Sequence, residues 1–328
     1  MLVIDILDIL PSGIRIRLDS KVQHELIGNA IKIMKSRKAL YKALKMRRGA
    51  FYYLENGVTR PTLEIINKLE KIIGIKVNLD TLCLGKEANH REIKIPRMVT
   101  IDKEFMWFLG LWEGDNNDNK YCLGIGNTSL PIIRRTLEFL NKFLGKEDIF
   151  VYIEIPQNNS KESTKIIESQ LIEYCKSIVT RKTQRKKTFI TVKVYSVTLK
   201  EIFLRLRGIV IEKIYELNNE MKASYVQGFF DAEGSVNLSN KIAEFYQKNT
   251  GISKLLLIKD LLNQLGIKTS KIYTHSKNRQ DMLLFQVLRG KNKENIKKFI
   301  EIISSNVKSK FEKMEIIKSP SSTPILGT

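Results

Sequence analysis

Histidine and cysteine are scarce, with three of each in 328 residues, and His24, His90 and His275 are as scattered as Cys83, Cys122 and Cys175. No spacing suits a zinc site, and nothing suggests a disulfide framework. Long apolar runs are missing too. None approaches the roughly 18 residues of a membrane-spanning helix, and the apolar N-terminus carries Asp5 and Asp8 without the basic start of a secretory signal. These absences predict a soluble protein of the cytoplasm, with its thiols in a reducing compartment and neither a membrane nor a small-molecule cofactor as partner. Acidic residues are in deficit: 35 Asp and Glu against 56 Lys and Arg leave a net charge of +21, with a pI near 9.7. That excess points to an anionic partner, DNA or RNA. The length suggests two or three compact units, at about 100 to 200 residues per domain.

What is present is a repeated nine-residue stretch. Phe108-Leu109-Gly110-Leu111-Trp112-Glu113-Gly114-Asp115-Asn116 has a second copy at Val226-Gln227-Gly228-Phe229-Phe230-Asp231-Ala232-Glu233-Gly234. Each is apolar with two small residues four apart, Gly110 and Gly114 or Gly228 and Ala232, which share one helix face a turn apart. Small residues there let two backbones come close, so each copy predicts one half of a tight helix pair. An acid follows the second small residue, Asp115 or Glu233, and then a residue that tolerates a left-handed cap, Asn116 or Gly234. A carboxylate at a helix C-terminus is disfavoured by the macrodipole, and two of them side by side repel. A divalent cation relieves both penalties, and oxygen donors of this kind suit Mg²⁺.

The pair of motifs resembles the LAGLIDADG homing endonuclease family in its single-chain, two-motif form. The resemblance implies a metal-dependent DNA endonuclease, monomeric with internal pseudo-twofold symmetry, in which Asp115 and Glu233 bind the metal and are catalytic. Ending with Asn116 instead of Gly, and starting with Val226-Gln227, are departures that leave both acids in place. In the family a basic residue near the start of the last strand of each half lies near the site, which implies Lys187 before Phe189 and Lys277 or Arg279 before Met282.

Features after the motifs extend the repeat. Asn127-Thr128 recurs as Asn249-Thr250 and Leu140-Asn141 as Leu262-Asn263, with an interval of 14 from one asparagine to the other in both copies, and Leu144-Gly145 recurs as Leu265-Gly266. The interval from acid to Asn-Thr is 12 in the first copy and 16 in the second, which predicts a shorter first hairpin. The fold class is therefore α+β: two pseudo-symmetric αββαββα repeats forming a DNA-binding saddle, preceded by a small all-α helix-turn-helix domain. Strands are expected at 121–125, 149–155 and 189–197, then at 235–238, 242–247, 271–275 and 282–288. Alternation in Thr191-Val192-Lys193-Val194-Tyr195 predicts one apolar face and one polar or basic face, as a β-ribbon reading the major groove would need.

Upstream, residues 1–20 read as an apolar segment and an extended arm, followed by a helix from Lys21 to Met34. Leu40, Leu44, Met46, Phe51 and Leu54 form a small core if the chain turns after Met46, Asn56-Gly57 ends a helix, and Arg60-Pro61-Thr62-Leu63 opens another to Ile73. This run resembles the Cro/repressor type of helix-turn-helix. The resemblance implies that Arg48, Gly49 and Tyr52 face bases, while Arg47 and Arg60 contact phosphates. The expected domains are 1–90, 91–215 and 216–318, with a disordered tail at 319–328. Residues 77–98 read as a linker, and 157–187 as a polar inserted loop whose basic run, Arg181 to Lys187, is solvated or meets phosphates.

Three functions fit: a site-specific endonuclease on double-stranded DNA, a transcriptional regulator using the saddle for binding only, and an RNA intron maturase. Both acids favour the first. Self-splicing as an intein is not expected, since the chain runs from Met1 to Thr328 without a terminal His-Asn pair.

Overall fold

The computed structural model describes residues 2–11, 13–77, 79–85, 92–117, 119, 121–158, 161–274 and 281–319. Among them, no helix is long and apolar enough to cross a membrane. The expected tail from 320 onwards and the 275–280 segment containing Lys277 and Arg279 lie outside the described residues.

The chain begins with Leu2–Asp5 (β1), Ile6–Ile9 (α1) and Arg15–Ile16 (β2), then four helices: Ser20–Met34 (α2), Arg37–Ala43 (α3), Arg48–Glu55 (α4) and Leu63–Ile73 (α5). Asp19 caps α2 by accepting from the Lys21 amide, and the Ser36 hydroxyl caps α3. Leu26, Ile27, Leu40, Leu44, Phe51, Leu54, Ile66 and Leu69 are buried, so the apolar stripes of the four helices meet.

The segment read as a linker carries structure. Thr81–Gly85 (β3) pairs on one side with β2 and on the other with Ile93–Pro96 (β4) in an antiparallel sheet, and Met98–Ile101 (β5) pairs with β1. Leu82 with Leu84 and Ile93 with Ile95 alternate inward and are buried; each run is only two apolar residues long, which the mixed charges around it conceal. The Arg97 guanidinium grips the Asp5 carboxylate at 2.7 Å, which holds that carboxyl below its usual range. The helical N-terminal region is thus followed by strands, and its first strand is laced to the one that leads into the first motif helix.

The first half continues with Lys103–Asp115 (α6), Leu123–Asn127 (β6), Leu130–Leu144 (α7), Ile149–Pro156 (β7), Lys161–Leu171 (α8), Ser177–Thr183 (β8), Phe189–Val194 (β9) and Val197–Lys213 (α9). The second has Asn219–Glu233 (α10), Gly234–Asn237 (β10), Ile242–Lys248 (β11), Ile252–Gln264 (α11), Tyr273–Thr274 (β12), Met282–Gln286 (β13), Glu294–Ile303 (α12) and Lys308–Lys318 (α13). Their sheets run β6-β9-β7-β8 and β10-β11-β13-β12. In keeping with a shorter first hairpin, where the second half has β10 the first has, among the described residues, the bridges Asn116 to Ile125 and Asn119 to Cys122. The 157–187 insertion is more than a loop. Its α8 crosses over so that β8 joins β7 in parallel, and Arg181 and Arg185 both grip Glu154. Parallel pairing across a helix leaves little alternation in Ser177–Thr183 to read in advance.

Each sheet turns one face inward. Ile149, Val151, Ile153 and Ile155 of β7 and Ile190, Val192 and Val194 of β9 are buried. The opposite face of the first sheet is aromatic as well as basic. Tyr195 donates its hydroxyl hydrogen to Tyr152 at 2.9 Å, and the Lys193 ammonium stands 5.5 Å from the Tyr152 ring centre.

Between the sheets, α6 and α10 pack along their length. A Cβ on Gly110 would stand 2.0 Å from the Tyr225 carbonyl oxygen, and one on Gly228 2.0 Å from the Trp107 carbonyl oxygen. Gly110 with Gly228 and Trp107 with Tyr225 are each 118 residues apart, so the two clashes are images of each other under the internal twofold. Backbone meets backbone, and no rotamer can relieve a methyl group there. Gly110→Ala or Gly228→Ala should therefore destabilise the protein by about 3 kcal/mol or more, read as a lowered urea midpoint. A variant as stable as the parent would show that the helices are not this close.

Candidate metal and nucleic-acid site

The close approach of α6 and α10 brings the ends of the helices together. At Gly114, a Cβ would meet the Ala232 Cβ at 2.4 Å and the Glu233 Cγ at 2.9 Å, so Glu233 reaches across to the residue before Asp115. Neither following residue is left-handed as expected. Asn116 has φ −60° and Gly234 φ −86°, both with extended ψ, and the chain passes from α10 straight into β10. The glycine at 234 answers to space: a Cβ would lie 2.0 Å from the Phe230 ring.

Asp115 is oriented by Asn127, whose amide donates to its Oδ2 at 2.5 Å while the Asn127 Oδ1 accepts from the Ser129 amide at 2.7 Å. The asparagine of the repeated Asn-Thr pair thus holds the acid. Glu233 makes no hydrogen bond or ion pair with any described residue. Burial pushes the Asp115 carboxyl up to about 6, against the Asn127 hydrogen bond. Burial and the Asp115 charge push Glu233 up to about 7.

The acids at the sixth motif position have a different duty. Asp231 is buried and accepts from Trp107 Nε1 at 2.9 Å, Ser305 Oγ at 2.7 Å and the Asn306 amide at 2.9 Å, which ties α6 to α10 and to the chain before α13. Glu113, also buried, is gripped by Arg207 and lies 3.1 Å from the Lys254 ammonium, which also donates to the Glu113 carbonyl at 2.5 Å. Lys310 caps the other helix, donating to the Phe230 and Asp231 carbonyls at 2.7 and 2.8 Å. Burial pushes its ammonium down to about 8, against the pull of Asp231, Asp115 and Glu233. Lysines at both helix ends complement the dipoles. Sequence reasoning missed Lys254 and Lys310 because both come from helices remote in the chain, with no local pattern to mark them.

The donor set fits a hard divalent cation in its chemistry: two adjacent carboxylates, one without a partner among the described residues, whose charges are poorly compensated. No group of three or more His, Cys, Asp or Glu side chains suited to a metal occurs among the described residues, so a bound ion would keep positions for water and phosphate. Of the basic residues expected at the site, Lys187 lies exposed on the turn between β8 and β9, and no contact among the described residues ties it to the acids. Arg47, Arg48 and Gly49 are exposed at the start of α4, and Tyr52 is 61% exposed on its next turn. The Arg60 guanidinium instead pairs with Glu92, which also holds Arg17 at 2.8 Å.

Residues 220–304, the larger part of the second half, match a family described as a LAGLIDADG-like domain. The DNA-directed RNA polymerase subunit Rpo1C of Methanocaldococcus jannaschii is 24% identical over 230 residues, which are 69% of this chain and 22% of that protein's length. Among solved structures, I-DmoI in complex with DNA and Ca is similar at 16% identity, with 66% of this chain and all of that one covered and a TM-score of 0.39. Full-length DUF199/WhiA from Thermatoga maritima is similar at 16% identity, with 69% and 63% covered and a TM-score of 0.41.

The raised carboxyls have a consequence for stability. An acid whose folded pKa lies above its unfolded value favours the folded state at low pH, and that contribution is lost as pH rises through the folded pKa. Asp115 rises from 3.8 to about 6 and Glu233 from 4.5 to about 7, so the loss falls between about pH 4 and 7. In metal-free buffer, Asp115→Asn with Glu233→Gln should raise stability at pH 7.5 by on the order of 1 to 2 kcal/mol and gain little at pH 4. Chemical denaturation at both pH values reads this difference, and an equal effect at both would contradict the placement of the acids.

Proposed function

We propose that the chain is a site-specific endonuclease on double-stranded DNA, acting as a monomer with Mg²⁺ held by Asp115 and Glu233. The observation that carries this reading is the acid pair itself, set at the twofold junction of two glycine-packed helices and left short of partners. A divalent ion bound there supplies Lewis-acid stabilisation of the phosphate and an activated water. The chain's own groups do the rest. Asp115, steadied by Asn127, and Glu233 hold the ion, and the two sheets lie on either side to carry the flanking DNA. Lys187 and Lys277 are proposed to steady developing negative charge. The match of residues 220–304 to a LAGLIDADG-like domain supports the same reading.

The N-terminal helices are proposed as a second reader of helix-turn-helix type, with Arg48, Gly49 and Tyr52 toward base edges and Arg47 toward phosphate. Arg60 reaches phosphate only by exchanging Glu92 for it. A regulator that binds without cutting is favoured by one observation: Lys310 already supplies positive charge beside the acids.

Incubation with a plasmid library and Mg²⁺ should give discrete double-strand breaks. Asp115→Asn and Glu233→Gln should each lower cleavage by about 10²-fold or more and leave DNA binding intact, since they remove negative charge near phosphate. Because β1 pairs with β5, the N-terminal reader is best tested by point substitution: Arg48→Ala with Tyr52→Ala should weaken binding and make its salt dependence shallower. Sequence-specific binding with no breaks under Mg²⁺ or Mn²⁺ would replace the endonuclease by the regulator.

A further inference from the structure

Lys254 and Lys310 cap the two motif helices in the same way but differ in what else they meet. Lys254 is spoken for, because the buried Glu113 carboxylate stands 3.1 Å from its ammonium. Lys310 has no such contact: among the described residues no carboxylate lies within ion-pair distance of it. Its ammonium is fixed by the Phe230 and Asp231 carbonyls and lies 5.3 Å from the Phe230 ring centre. That point is the C-terminal end of α10, on carbonyls three and two residues before Glu233, where the charges of Asp231, Asp115 and Glu233 all bear on it. The Asp231 carboxylate is already satisfied by four donors from Trp107, Ser305 and Asn306. The Glu233 carboxylate is satisfied by none among the described residues.

We propose that Lys310 is the resident counter-ion of the Asp115–Glu233 pair, holding the two motif helices together in the metal-free protein and opposing entry of a divalent cation. The proposal rests on the metal-binding reading of these acids for its second part only. Two like charges at the junction of α6 and α10 repel across an interface that glycine has already made tight, and a half-buried cation fixed at the end of α10 offsets that repulsion before any metal arrives. A metal entering the pair then meets a fixed positive charge that cannot swing into solvent without surrendering two hydrogen bonds to helix carbonyls. The saddle is thereby assembled for DNA without metal, and cation occupancy becomes a separate, concentration-dependent step. Lys310 is a positioning residue in this scheme, since it acts through the acids.

The test is a double-mutant cycle on the full chain in chelated, metal-free buffer at neutral pH, with Lys310→Met as one substitution and Asp115→Asn plus Glu233→Gln as the other. The hydrogen bonds to the Phe230 and Asp231 carbonyls are lost in either background, but the charge interaction is lost only where the acids are ionised. The urea midpoint should therefore fall clearly with Lys310→Met in the parent and much less in the acid-free background, and Lys310→Arg should restore most of the fall. Equal falls in both backgrounds, or no rescue by arginine, would overturn the counter-ion assignment. Mn²⁺ binding, followed by electron paramagnetic resonance, reads the second part. Lys310→Met should bind Mn²⁺ tighter by about tenfold or more, the order expected on removing a like charge from nearby. Unchanged or weaker binding would refute the opposition to metal. A parent protein that binds no Mn²⁺ while the cycle shows coupling would refute the nuclease reading and leave the counter-ion standing.

Discussion

Everything at the centre of this protein depends on two backbones being allowed to touch. Gly110 and Gly228 each face a carbonyl oxygen of the partner helix at a distance that no side chain tolerates, and the contact fixes where the C-termini of α6 and α10 end. Because the acids directly follow those contacts, the same closeness that packs the core also sets two carboxylates beside each other. Dispersion and backbone fit stabilise the upper part of the interface, while like charge and two negative helix ends strain the lower part. The lysine caps, the Asn127 hydrogen bond and the buried network around Asp231 answer that strain from within the chain. A divalent ion would answer it from outside.

The first sequence signal to carry over was the repeat. A nine-residue motif with small residues four apart specifies a helix face, and its second copy specifies what that face packs against. The 14-residue interval between asparagines marked corresponding helices, and the shorter first hairpin followed from one interval. What stayed hidden was tertiary in origin. Strands β3 and β4 have two inward residues each, too few to show a period, and β8 pairs in parallel through a crossover that breaks local alternation. Gly234 was expected for its conformational freedom, yet it is required by the Phe230 ring. Lys254 and Lys310 come from α11 and α13, and nothing near them in the chain announces a helix end 141 or 80 residues away.

The two halves share a plan but differ in surface chemistry, which bears on how a saddle of this kind would read DNA. The first sheet offers Phe150, Tyr152 and Tyr195 with Lys193, and its added edge strand places Arg181 against Glu154. In the second, Glu244 accepts from Tyr246 at 2.6 Å and from Gln286 at 2.9 Å, and burial together with the Glu244 hydrogen bond raises the Tyr246 hydroxyl well above its usual range.

The central claim is that the junction of α6 and α10 is a divalent-cation site. Its most direct test is a crystal structure of the full chain soaked in Mn²⁺, with anomalous scattering used to locate the metal. The account predicts a peak at about 2.0 to 2.3 Å from carboxylate oxygens of both Asp115 and Glu233, with Lys310 still on the Phe230 and Asp231 carbonyls. Manganese bound elsewhere at saturating concentration, with both acids bare, would contradict it.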